Sequence, residues 1–156
     1  MAEYILNRNE LSQYSLLRSQ VLKLDKGISE AQDEIKEINQ YNMSISPVLT
    51  GMPSGNERRD RIADFIIRLE NDRQRLNSAI ASYEAEKEAI MYRLKKIREA
   101  VNNIPNKQLK EIIELHYIKG HSFCDIAEKV YLTESAIYKR INRFFRYGSK
   151  NSRESS

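Results

Sequence analysis

From Leu11 to Asn39 the apolar residues recur in alternating steps of three and four: Tyr14, Leu17, Val21, Leu24, Ile28, Ala31, Ile35 and Ile38. That rhythm is a heptad seam and predicts a long helix with one face turned to another helix. Gly27 interrupts it at a cost of about 1 kcal/mol relative to Ala, so a bend or fraying is expected there. The pattern is lost over 41–57, YNMSISPVLTGMPSGNE, where Pro47, Gly51, Pro53 and Gly55 are expected to stop any helix. Val48, Leu49 and Met52 are the candidates to pin this loop against the helices. A second seam then runs Ile62, Ile66, Leu69, Arg73, Leu76, Ile80, Tyr83, Lys87, Ile90, Leu94, Ile97, Val101 and Ile104. It predicts a helix of roughly 45 residues, about 65–70 Å long, ending near Asn102-Asn103 because Ile104 precedes Pro105.

Arg73 and Lys87 are the charged residues in that second seam. In a parallel in-register dimer each would face its own copy, and like charges on a seam repel. Folded back as an antiparallel hairpin about the 41–57 loop, Arg73 is expected level with Asp25 and Lys87 near Glu10, so opposite charges meet. The hairpin is therefore the preferred reading, and two hairpins can still associate into a dimer or higher oligomer.

The last third changes character. Ser122 is placed to cap a short helix, with Asp125 as a capping-box-like partner three residues on. Phe123, Ile126, Ala127 and Val130 then share one face. Val130-Tyr131-Leu132 breaks the period and Thr133 restarts it as a second N-cap. Ile137, Ile141, Phe144 and Phe145 form the apolar stripe of a longer helix. Its opposite face carries Ser135, Lys139, Asn142, Arg143 and Arg146, flanked by Ala136, Tyr138 and Arg140. A short capped helix, a tight turn and a longer helix with one apolar and one cationic face describe a helix-turn-helix, whose second helix suits a DNA major groove.

Charge supports that division. Residues 1–106 hold sixteen Lys/Arg and sixteen Asp/Glu, whereas 107–156 hold ten basic against six acidic, so the net +4 resides wholly in the C-terminal part. Between Lys139 and Arg153 there are six basic residues and no acidic one. Localised positive charge of this kind is a footprint for phosphate backbones.

With the preceding IPNKQLKEIIELHYIKG, this block resembles region 4 of bacterial sigma-70-type factors. The matching features are Ile104-Pro105, Leu115–Tyr117 before Gly120, Ile126-Ala127-Glu128, and Ala136-Ile137-Tyr138-Lys139-Arg140-Ile141. The departure is Tyr131, where the turn often carries Gly; a non-Gly residue there carries a backbone penalty if φ is positive. A heptad hairpin, a loop reading SPVLTGMPSG and this block together resemble the small phage and prophage regulators of the RinA/ArpU type. That resemblance implies activation of late structural, packaging or lysis genes in phages of low-GC Gram-positive bacteria. Without a recognisable sigma region 2, an activator working with host RNA polymerase is expected rather than a stand-alone sigma factor.

The expected architecture is all-α: a long antiparallel helical hairpin (a coiled coil) over 1–104, a helix-turn-helix domain over 105–147 and a disordered tail over 148–156. Candidate DNA-binding residues are Thr133, Ser135, Ala136, Tyr138, Lys139, Arg140, Asn142, Arg143 and Arg146. Lys139 and Arg143 lead as base or phosphate contacts, and Arg140 and Arg146 as phosphate grips. Thr133 would meet a phosphate at the helix N-terminus, Ser135, Ala136 and Asn142 would meet base edges, and Tyr138 would touch DNA or pack along the domain. The alternative roles are a DNA-packaging adaptor similar to a small terminase subunit, and a helix-turn-helix used for protein binding.

No metal or cofactor is expected. His116, His121 and Cys124 do not match zinc-ligand spacing. The chain shows no Gly-rich phosphate loop, no paired nucleophile and base and no HExxH-like motif, so it does not read as an enzyme. Cys124 is the sole cysteine, which suits a reducing compartment. The N-terminal stretch lacks the apolar run of a signal peptide and no stretch approaches the ~20 apolar residues of a membrane span, so a cytoplasmic protein is expected, in the bacterial host.

Overall fold

The computed structural model describes residues 6–49 and 56–154, with the side chains of 43–49, 56, 58 and 148–154 excepted. Every element in it is helical: α1 (Arg8–Leu49), α2 (Asn56–Asn102), α3 (Lys107–Ile113) running on into a π-helical turn (Glu114–Ile118), α4 (Phe123–Val130) and α5 (Glu134–Glu154). Among the described residues there is no strand. The fold is all-α, and α1 and α2 form the helical hairpin. No helix among the described residues is long and apolar enough to cross a membrane.

The chain divides into two compact units, one made of 1–20 with 89–156 and the other of 21–88. The boundary expected at 104/105 is therefore not where compactness changes. The base of the hairpin belongs with the C-terminal helices, because Leu11, Tyr14, Leu17, Ile97 and Val101 are as deeply buried as the core of those helices.

In the 21–88 unit the two helices run antiparallel in a register different from the expected one. Lys87 Nζ meets Asp25 Oδ1 at 2.6 Å, and Arg73 Nη1 lies 3.5 Å from Asn39 Oδ1. Arg73 thus faces Asn39 in place of Asp25, a displacement of 14 residues along α1, or two heptads. The physical reason is that an apolar seam repeats every seven residues, so sliding by whole heptads preserves its burial. Arg73 is neutralised from its own helix by Glu70. Gly27 does not end α1, which runs through it: a Cβ there would sit 3.3 Å from the Tyr83 ring, so its bareness admits an aromatic side chain.

Both hairpin helices extend further into 41–57 than expected. Helix α1 passes Pro47 to Leu49, and α2 begins at Asn56. A proline removes one i→i−4 bond, a loss that falls here in the last turn, where the chain is about to leave the helix. The turn residues Gly51 and Pro53, and the side chains of Val48, Leu49 and Met52, lie outside the described residues. At its other end α1 is capped by Asn7, whose Oδ1 accepts from the Asn9 amide at 2.9 Å.

In the other unit, Tyr14 is fully buried and its hydroxyl accepts from Arg98 Nη2 at 2.9 Å and Nε at 3.2 Å. A buried phenol needs such a partner. Asn106 caps α3 by accepting from the amides of Gln108 and Leu109. The core of α3–α5 is Ile112, Leu115, Ile126, Val130, Ile137 and Ile141, with Tyr117, Phe123, Ala127, Leu132 and Phe145 packed around it. All the apolar positions expected on the inner faces of α4 and α5 are found in this cluster, apart from Phe144, which is half-buried beside Leu6, Ile104 and Pro105.

Candidate nucleic-acid interface

The local sequence builds the α4–α5 pair almost as its capping residues require. Ser122 Oγ accepts from the Asp125 amide at 3.2 Å, and Thr133 Oγ1 accepts from the Ala136 amide at 3.1 Å. Between the helices Tyr131 adopts φ 58° and ψ 41°. The backbone penalty anticipated for a non-Gly residue is thus present, and the Tyr131 side chain, 93% exposed, makes no packing that offsets it. The turn is closed by the amides of Tyr131 and Leu132, both donating to the Ala127 carbonyl. Leu132 then tucks against the core and sets the direction in which α5 leaves.

A second turn was not legible in the residues. Glu114–Ile118 widens into a π-helical turn, and Gly120 follows at φ 77°. His116 stacks on Phe123 with ring centroids 4.1 Å apart, and its Nδ1–H donates to the His121 carbonyl at 2.9 Å. This ties the end of α3 to the start of α4 and gives His116 a structural role. Cys124 is exposed, and its thiol is pushed up from its ordinary value, first by the Glu134 carboxylate and then by burial and by Glu128 and Asp125. Among the described residues no group of three or more His, Cys, Asp or Glu is placed to hold a metal.

On the outer side of α5, Ser135, Lys139, Arg140, Arg143 and Arg146 are exposed, as is about half of Tyr138. Lys139, Asn142, Arg143, Arg146 and Tyr147 line an open cleft of about 410 Å³. Among the described residues Lys139 and Arg143 have neither an ion pair nor a hydrogen-bond partner. One turn apart on a rigid helix, they aim two uncompensated cations at whatever fills the cleft. Arg140 is different: it donates to Gln108 on α3, which holds it at the edge of the face. Thr133 spends its oxygen as an acceptor in the cap and keeps its hydroxyl hydrogen to donate.

Asn142 and Ala136 are less exposed than expected. Asn142, expected on the open face, is half-buried and accepts from Arg8 Nη1 at 2.9 Å through Oδ1. Ala136 is half-buried as well. Tyr138 packs along the domain, edge-on to Phe123 at 6.0 Å, with the Arg8 guanidinium 5.9 Å above its ring. The same guanidinium lies 5.9 Å from the Phe145 ring. Arg8, Gln108 and Tyr147 are members of this region that sequence reasoning missed. Helical periodicity ranks residues within one helix and is silent on a partner 134 positions away.

Comparison with protein-family models, curated proteins and solved structures finds no match to this chain.

Proposed function

We propose that the chain binds double-stranded DNA with sequence preference and acts as a transcriptional regulator, with α5 as the reading helix. The observation that carries this is the outer face of α5. Among the described residues Lys139 and Arg143 stand exposed and unpaired along one cleft, while Ile137 and Ile141 behind them are wholly buried, so the cations are presented by a helix anchored through its opposite face. Cations held in place without carboxylate partners suit a polyanion, because binding releases its counterions. The capped α4, the left-handed turn and α5 supply a geometry that suits insertion into a major groove. The role is binding rather than catalysis, in the cytoplasm of a bacterial host. The resemblance to the RinA/ArpU type extends this to a phage or prophage activator of late genes, with host RNA polymerase as the partner.

The test is selection from genomic DNA fragments at about physiological salt, where non-specific binding is weak, with wild type beside a Lys139→Ala/Arg143→Ala double variant. One enriched site, lost in the variant, is the expected result, each truncation costing about 1–3 kcal/mol if it reads a base. Enrichment of nothing by the wild type, or equal enrichment by both proteins, refutes the assignment.

A further inference from the structure

Arg8 reaches α5 from the first turn of α1 and holds three of its side chains at once. It donates to Asn142 and lies over the rings of Tyr138 and Phe145. A guanidinium has donors only, so the group Asn142 turns towards it must be its amide oxygen. Asn142 also lines the cleft with Lys139 and Arg143. One of the oxygen's two lone pairs is taken and the oxygen is held towards Arg8, so the end of the amide that leads elsewhere is its nitrogen, with two donors.

On the DNA-binding reading above, we infer that Arg8 is a positioning residue that sets the specificity of Asn142. Left to rotate, an asparagine pairs with adenine by donating to N7 and accepting from N6, which needs its oxygen and nitrogen side by side on the base edge. With the oxygen held towards Arg8, the amide cannot turn freely to lay its oxygen and nitrogen side by side on a base edge, so Asn142 leads with its donors and selects an acceptor edge, guanine O6/N7 or thymine O4. The start of α1 thereby becomes part of the reading surface without touching DNA. Its aromatic neighbours keep the guanidinium from swinging out towards phosphate, since leaving them forfeits two cation–π contacts.

The experiment is binding to a randomised duplex library at about physiological salt by wild type, Arg8→Ala, Arg8→Lys, Asn142→Asp and the Lys139→Ala/Arg143→Ala double variant, each checked by thermal melting. Asn142→Asp keeps a partner for Arg8 and so keeps its melting temperature. It replaces donors by acceptors, so at one position the preference changes to a donor base, cytosine or adenine, while the other positions stand. Arg8→Ala relaxes that same position by on the order of tenfold, a loss typical of one well-made base contact, and Arg8→Lys restores part of it. Adenine selected at that position by the wild type overturns the inference. So does an unchanged motif in Asn142→Asp, or a loss spread evenly over all positions in Arg8→Ala. In those cases, if the double variant has still lost binding, the DNA-binding reading stands and only the role of Arg8 falls. A wild type that selects no sequence removes both.

Discussion

The two units of this chain are made from the same kind of residue and bury it very differently. In 21–88 the described residues under a tenth exposed are Ala31, Ile38 and Leu69, and most of the seam, from Val21 to Ile80, is half-buried. In the other unit Ile112, Ile113, Ile126, Ile137 and Ile141 are completely covered. Two helices alone meet along a stripe and leave its edges to water. Three helices crossing one another enclose their apolar faces from several directions. The difference shows where each unit draws its order. A two-helix seam is tolerant, since whole-heptad slides preserve it, and its register must be set by charges and helix ends. The α3–α5 core is intolerant, and that rigidity is what holds the cationic face of α5 in place.

The largest effect should separate the two directly. Ile137→Ala removes a fully enclosed side chain and should cost about 2–5 kcal/mol of unfolding free energy, whereas Ile28→Ala, half-buried in the hairpin seam, should cost on the order of 1 kcal/mol. Chemical denaturation of both variants checks this, and equal losses would show the hairpin seam to be as well packed as the core. Next in size is Tyr131→Gly. It relieves a left-handed backbone that disfavours side chains and gives up almost no burial, so a gain of up to about 1 kcal/mol is expected in the melting curve. A net loss would mean that Tyr131 supports the turn by a contact of its own.

Smaller still is the hairpin ion pair. The side chains of Lys87 and Asp25 are 36% and 45% exposed, so solvent screens them and Lys87→Ala should cost at most about 1 kcal/mol. The sharper measurement is a double-mutant cycle of Lys87→Ala with Asp25→Ala. A coupling that vanishes would leave the register to the seam and the helix ends alone. Last comes Cys124, where no change in stability is expected. Nearby carboxylates disfavour the thiolate anion, so at a given pH less thiolate is present than in a free cysteine and the midpoint of alkylation lies higher. Glu134→Gln should bring that midpoint down; an unmoved midpoint would show that Glu134 is not the cause.

The residues by themselves determined the helical class, both seams, the caps at Ser122 and Thr133, the strained turn at Tyr131 and the polarity of α5. All of these depend on neighbours within one or two helical turns, and periods of three to four residues are written directly in the chain. Helix ends were less legible, because Pro47 and Gly148 weaken a helix without stopping it. Helix α5 continues to Glu154, so the described part of the expected disordered tail is helical. Only the tertiary structure decided the hairpin register, the π-helical turn that seats His116, the docking of Tyr138 and the hold of Arg8 on Asn142. Each is a pairing between distant residues. Heptad sequence is degenerate under slides of seven, and a side chain that can reach in several directions takes its partner from what the fold brings beside it.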